Sequence, residues 1–427
     1  MTELENYQYS IVEKISFNRF GGTEDELRAA NILLKEIQSL GGEAEFMEFS
    51  IPACTTIQCS MTQLSPAARE ITCAPYWYSG SLPEGGRDLK LVYADCGAPE
   101  DYLGIKDLSD CVVLINELSD DSYKLLLEKK PAAFMTFTGK YFDTPDSLDL
   151  HPVELRPNLQ EMGKIPGFIV RACDALKLAA AENVTLHLDL IQEECEHTSR
   201  NILAVIPGTE IPDESIVITG HYDSVLVGTG SWDNATGAAA LMFIYRQFLN
   251  HPSKRTLRFI WCGSEEQGLR GSRAYVTQKE DLVSQIKMCF NFDMNGTVLE
   301  PNKLMITGGD DLKHLAEQFA HEVGFSNELR VGVHSSDSAP FATKGIPAIG
   351  IGRGAQGGEI HTHNDIITPL SAKQMYRLGQ FSVQFISRVA NSVTLPVGLG
   401  MPDSLKEELA KYENRKDIKK ENNTAAK

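Results

Sequence analysis

Six residues in the second half of the chain are of the kinds that hold a metal ion. They are His221 in GHYDS, Asp233 in SWDNATG, Glu265 and Glu266 in GSEEQG, Asp293 in FNFDMNG and His361 in IHTHND. Imidazole nitrogens and carboxylate oxygens together make the ligand set that zinc accepts in catalytic sites. Adjacent side chains generally diverge, so one of Glu265 and Glu266 can bind metal while the other reaches a water beside it. That uncoordinated glutamate is then a general base, taking the water's proton and returning it to a leaving amine. Each residue alone has an ordinary structural explanation, such as a strand end or a solvated helix start. Taken together and in this order, they point to a two-metal hydrolase.

The neighbours of the histidines fit the same chemistry. Along an extended chain, residues 221 and 223 point the same way, which lets Asp223 accept the second N–H of His221 and fix its tautomer. Asp365 stands in the same relation to the His361 segment. His363 is a rival ligand by type, but its spacing from His361 turns it elsewhere.

Such residues need a frame that brings distant segments to one place. From Asn201 onward, apolar runs alternate with helical patterns: ILAVIPG, SIVITGH, RTLRFIWC, MCFNFD, KLMITGG and IPAIGIG read as strands, and segments near 234–249, 311–323 and 371–391 as helices. This alternation predicts an α/β fold, a mixed and largely parallel central sheet flanked by helices. Open sheets of that kind place ligands beyond the carboxyl ends of their strands. His221, Glu265, Glu266 and Asp293 all stand just there. Nearer the N-terminus, TEDELRAANILLKEIQSLGG reads as an amphipathic helix capped by Thr23, with EAEFMEFSI as a strand after it. From about Pro52 the texture changes to short β-rich runs separated by loops rich in Pro, Gly, Asp and Ser. The predicted organisation is one α/β domain from 1–51 and 195–400, an inserted β-rich domain over 52–194, and a charged tail over 401–427, a short solvated helix followed by disorder.

Composition narrows the function classes. A net charge of -18 over 427 residues speaks against nucleic-acid or anionic-membrane partners, which require a basic face. The N-terminal sequence has no basic stretch followed by an apolar one, and no apolar window is long enough to span a bilayer. The 9 cysteines lack paired spacing, and Cys262 and Cys289 lie in apolar strands as buried thiols. A reducing, cytoplasmic compartment is the expectation.

The run His221-Tyr222-Asp223, Gly230-Ser231-Trp232-Asp233-Asn234, Glu265-Glu266, Asp293, Ser336-Asp337 with Phe341 and Gly345-Ile346-Pro347, and His361-Thr362 with Asp365 resembles the co-catalytic zinc aminopeptidases of peptidase family M28. The resemblance implies a zinc-peptidase, phosphorylase/hydrolase-like fold, peptide substrates and two Zn2+ ions. Carried onto this chain, it implies that Asp233 bridges the ions. His221 and Asp293 would complete one, and Glu266 and His361 the other. Glu265 would be the general base, with Asp223 behind His221. It further implies a cis peptide between Asp233 and Asn234. The inserted segment is similar, by position and β texture, to a protease-associated (PA) domain.

This chain departs from the family at two positions. Trp232 replaces a small residue, so its indole either lines the substrate pocket or packs within its loop. The stretch VGVHSSDS lacks a tyrosine that relatives use to steady the oxyanion, and His334 is the expected replacement donor. Other functions remain open at this stage. A carboxypeptidase would need a cation for the terminal carboxylate, for which Arg353 is the candidate. Glutaminyl cyclases share the scaffold but work with one zinc, against which His221 and Asp293 together argue. A scaffold protein on an inactive peptidase fold would have lost ligands or base, and none is lost.

Overall fold

A computed structural model of the chain describes residues 2–144, 149–354 and 360–417. Contacts divide it into two compact units, Met1–Ile51 with His197–Asn414, and a second built chiefly from Pro52–Glu196.

In the first unit, strands Ile211–His221, Arg255–Cys262, Ile286–Phe292 and Ala348–Arg353 form the parallel centre of a mixed sheet. Asn302–Thr307 joins Ala348–Arg353 antiparallel and pairs in parallel with Glu328–Val331. On the other side, residues 202–206 of Thr185–Ile206 run antiparallel to Arg255–Cys262. The central strands are apolar on both faces because both faces are covered. Ile216 and Ile218 pack into one cluster with the helices Glu3–Ile15, Glu24–Ser39, Thr236–Asn250 and Ala372–Ala390. Val217 turns to the opposite cluster, with Tyr275 and Phe341. The helix Glu24–Ser39 begins where its sequence predicts, with the Thr23 side chain accepting the Glu26 N–H at 3.2 Å.

The second unit is less purely β than its sequence texture suggests. Arg87–Tyr93, Cys111–Leu114, Ala133–Thr138 and Gly167–Arg171 are parallel neighbours in that order. Parallel neighbours need crossover connections, and the helices Asp120–Lys129 and Pro157–Met162 lie in two of them. Asp120–Lys129 packs Tyr123 and Leu126 on the Val113 and Phe134 face, while Ala172–Ala180 packs Ala175 and Leu178 on the Val112 and Met135 face. These helices are only two or three turns long, too short for a strong periodic signal among so many turn residues.

The charged C-terminal segment also differs from expectation. The helix Asp403–Asp417 is not merely solvated: Leu405 and Leu409 are buried with Met401 against Ala342. Its few apolar residues recur four apart, which is enough for one narrow stripe. The expected disorder concerns residues 418–427, which lie outside the described residues. Among the described residues, no helix is long and apolar enough to cross a membrane.

Candidate metal centre

The parallel register explains why distant residues meet. His221 is the last residue of Ile211–His221 and stands opposite Cys262, the last of Arg255–Cys262. Glu265 and Glu266 follow that second strand, and Asp293 directly follows Ile286–Phe292 on the other side of His221. Three adjacent strands thus release their ligand-type residues at one sheet edge. Asp233 is extended (φ -109°, ψ 93°) in the irregular turn Ser231–Ala235 that leads into Thr236–Asn250. The Asp233–Asn234 peptide is cis. His361 has a left-handed backbone, φ 59°.

These side chains converge. His221 Nε2 lies 3.2 Å from Asp233 Oδ1, 3.5 Å from Asp293 Oδ1 and 4.0 Å from Glu265 Oε2. His361 Nε2 lies 3.2 Å from Asp233 Oδ2 and 3.1 Å from Glu266 Oε2. The two oxygens of Asp233 therefore face different histidines. Two groups with metal-ligand spacing result: His221 with Asp233 and Asp293, and Asp233 with Glu266 and His361. A third, His221 with Glu265 and Glu266, shares their atoms. Glu266 Oε1 and Asp293 Oδ1 are buried without a hydrogen-bond partner. Buried carboxylate oxygens without donors are costly, and a cation satisfies them. The donor set therefore fits metal ions.

Electrostatics sharpen the picture. Burial, reinforced by Asp337, Glu266 and Asp293 against the pull of His221, holds the Glu265 carboxyl well above the usual carboxylate range. Burial and Asp233 push Glu266 up to about 7. For His221, burial disfavours the charged ring, but Glu265, Asp223, Asp233 and Asp293 outweigh it and raise its pKa. So many carboxylates in one buried place favour protons, or any cation that replaces them.

Two further aspartates hold the backbone that carries the ligands. Asp223 lies with Oδ1 3.4 Å from His221 Nδ1, and its two oxygens accept the Glu265 and Glu266 N–H groups at 3.0 and 3.3 Å. Asp365 accepts the Trp232 and Asp233 N–H groups at 2.7 and 3.1 Å. Asn234 donates to the Phe292 carbonyl at 2.9 Å and accepts from Met294 N–H at 3.1 Å, tying the Asp233 turn to the Asp293 segment.

Arg19 gave no signal in the sequence. It is fully buried, and its guanidinium donates to the carbonyls of Tyr222, Ile15, Phe17, Thr229 and Gly230. It thereby clamps the His221–Asp223 segment to the Asp233 turn. Burial pulls its pKa down to about 10, against the opposing charges of Asp223, Asp365, Asp233 and Glu266. A lone arginine in a polar stretch reads as surface, so only its neighbours in space reveal this role. Tyr412 is another residue whose surroundings only the fold sets. It is half-buried on Asp403–Asp417, with its hydroxyl 2.9 Å from Ser335 Oγ.

Other expected residues belong to none of these ligand groups. Trp232 is buried in the core cluster and packs tightly against Gly354, where a Cβ would come within 2.5 Å of the indole. Loop packing is therefore its role. His363 is exposed and belongs to neither ligand group. His334 is half-buried, with Nε2 enclosed and unbonded, and burial lowers its pKa so that the ring is neutral near pH 7. Arg353 donates to the Thr297 carbonyl at 2.6 Å and to Asn302 Oδ1 at 2.8 Å.

A histidine and carboxylate cluster at the carboxyl edge of an open α/β sheet is an arrangement suited to a metal-dependent hydrolase. Residues 201–386 match the model of peptidase family M28. The chain is 27% identical over 390 residues to aminopeptidase YwaD of Bacillus subtilis, covering 87% of this chain and 82% of that one. It is 28% identical over 191 residues to leucine aminopeptidase 2 of Arthroderma otae, covering 42% of this chain and 38% of the relative. In fold it is similar to a zinc aminopeptidase from Bacillus subtilis, with a TM-score of 0.76, 24% identity and coverage of 94% and 98% of the two chains. An aminopeptidase from Aneurinibacillus sp. strain AM-1 matches with a TM-score of 0.70 and 21% identity, covering 92% and 96%.

Proposed function

We propose that the chain is a metallo-aminopeptidase that removes N-terminal residues from peptides with the help of two zinc ions. The observation that carries this reading is the pair of ligand groups sharing Asp233, with Glu265 beside both. His221 and Asp293 would hold one ion, Glu266 and His361 the other, and Asp233 both. Bound there, the ions would polarise a peptide carbonyl and acidify water.

The chain's own residues do the rest. Glu265 takes the proton of the attacking water on its carboxylate and hands it to the leaving amine. Burial and the neighbouring carboxylates raise its proton affinity above that of an ordinary glutamate. Asp223 fixes both His221 and the turn bearing the two glutamates, while Asp365 fixes Asp233. His334 serves as a neutral hydrogen-bond donor toward the oxyanion. The acidic surroundings receive the substrate's free α-amine. Arg353, the cation that a carboxypeptidase would use for the terminal carboxylate, is committed to Thr297 and Asn302.

The inserted unit is proposed as PA-like, spanning about 52–194, within a peptidase domain of 1–51 and 195–400. A cytoplasmic location is proposed as well, in keeping with cysteines that form no disulfide among the described residues. The test is a peptide panel with free, N-blocked and C-blocked ends, run with and without chelator alongside zinc analysis. Turnover of free-amine peptides that chelator abolishes supports the proposal. Turnover of N-blocked peptides alone would overturn it.

A further inference from the structure

Two of the free cysteines stand against each other in the second unit. Cys59 lies on Ala44–Ser65 and Cys73 opens Cys73–Trp77, and their Sγ atoms are 3.7 Å apart. The register of the intervening hairpin accounts for the meeting. Thr62 stands opposite Glu70 and Gln63 opposite Arg69 in an antiparallel pair, and the Ile71 N–H reaches the Met61 carbonyl at 2.9 Å. Continued by two residues on each side, the same register sets Cys59 opposite Cys73. Side chains alternate along a strand, so both thiols share the face of Met61 and Ile71, and all four pack in one apolar cluster. The hairpin is also held by Arg69, which donates to Gln63 Oε1 at 2.9 Å and pairs with Asp174 at 2.7 Å.

Opposite residues of an antiparallel pair have Cα atoms about 4.5–5.5 Å apart, within the span of about 4.4–6.8 Å that a disulfide bridges. Side-chain rotation therefore suffices to bring the two sulfurs into bonding distance. Both thiols are only partly buried, which leaves a small oxidant access. Their contact also divides the roles between them. A hydrogen bond from Cys73 steadies the Cys59 thiolate and holds the Cys59 pKa below that of an ordinary thiol, against the effect of burial. The same bond, with burial, pushes Cys73 up. The thiolate is the nucleophilic form, so Cys59 is the thiol that reacts first.

We propose that Cys59 and Cys73 form a reversible dithiol–disulfide site, oxidised by hydrogen peroxide and restored by thiol reductants. The Cys59 thiolate attacks one peroxide oxygen, an S–O bond forms as the O–O bond breaks, and hydroxide leaves and takes up a proton as water. Cys73 then attacks the Cys59 sulfur. The S–S bond forms, the S–O bond breaks, and the hydroxyl departs with the Cys73 proton as a second water. Two thiols are oxidised, and one peroxide is reduced to two waters. The new bond fastens the hairpin to Cys73–Trp77, a strand that is itself paired with Gly167–Arg171. In a reducing compartment such a site rests as the dithiol and closes only under oxidative load. The inference stands on the second unit alone and is independent of the aminopeptidase reading.

The test treats the folded full chain with one equivalent of hydrogen peroxide, blocks the remaining thiols in urea and maps tryptic peptides by mass spectrometry. Cleavage at Lys35, Arg69 and Arg87 puts Cys59 in residues 36–69 and Cys73 in residues 70–87. Expected is a linked pair of these peptides, lighter than the two together by two hydrogens, with two thiols lost from the denatured titre. Dithiothreitol should restore both thiols. Cys54 shares the first peptide, so Cys54→Ser should keep the link, whereas Cys59→Ser and Cys73→Ser should each abolish it. Mapping of the wild-type chain does not depend on any variant folding. Oxidation that leaves Cys59 and Cys73 unlinked in the folded wild-type chain overturns the proposal, as does a link that survives Cys59→Ser. A link formed to the same extent in the urea-unfolded chain would also overturn it, because the fold would then not be what directs the pairing.

Discussion

Asp223 accepts the backbone N–H of Glu265 at 3.0 Å while its own carboxylate stands 3.4 Å from His221 Nδ1. One side chain therefore positions a proposed ligand from one strand end and the proposed base from the next. Its removal should be felt in two separate quantities. Asp223→Ala is expected to weaken metal binding by about 10–100-fold and to lower kcat even when metal is saturating. Competition titration against a chelator reads the first, and steady-state kinetics at high zinc the second. Full recovery of kcat by added zinc would show that Asp223 does not position Glu265.

Glu265 lies in one of the three groups with metal-ligand spacing, so it has a rival role. Glu265→Gln separates the two. As a base, the residue should cost about 10²–10⁴-fold in kcat with metal content unchanged. Loss of one metal equivalent per chain in elemental analysis would make it a ligand instead.

Asp365 holds the Trp232 and Asp233 N–H groups without approaching as a ligand in either shared group. Asp365→Ala should therefore release the Asp233 turn and weaken both proposed ions together. Metal titrations of the variant should show a parallel fall in both sites. Weakening confined to one site would separate Asp365 from Asp233.

The metal should also matter to stability. Asp233, Glu265, Glu266 and Asp293 are crowded together, and a bound cation stabilises only the folded arrangement. Chelator should lower the melting temperature reversibly, with zinc restoring it. An unchanged melting temperature after verified metal removal would contradict the site.

Glu26, which is not among the proposed ligands, offers a pH test. It is buried, accepting from Ser199 and from the Gly22 N–H, and burial lifts its carboxyl from 4.5 to about 7. The folded chain thus keeps a proton that the unfolded chain releases first. That contribution is fully present below pH 4.5 and is lost as pH rises toward 7. Its ceiling is on the order of 3 kcal/mol. Glu26→Gln stays neutral, so urea unfolding should show a smaller fall in stability between pH 5 and pH 7.5 than wild type. Equal falls would remove Glu26 as the cause.

Much of the frame was legible because it is local. The apolar runs ending at His221, Cys262 and Phe292 declared strands, and the strand-end rule then pointed to one edge. Thr23 announced a helix start through its own hydroxyl. In the second unit, short helices such as Ala172–Ala180 escaped notice because turn residues surround them and tertiary packing stabilises them.

By itself, the sequence determined the kinds of residue available and their order: two histidines and several carboxylates, most of them at the end of a strand or the start of a helix. It could do so because hydrophobic period and ligand chemistry are properties of short segments. Only the tertiary structure decided that the two oxygens of Asp233 face different histidines, that Trp232 packs inside its loop, and that Arg353 is occupied. The same holds for Arg19, whose guanidinium ties the Tyr222 carbonyl to those of Thr229 and Gly230. These depend on which distant segments share one place, and parallel strand register and buried hydrogen bonds set that only once the whole unit has folded.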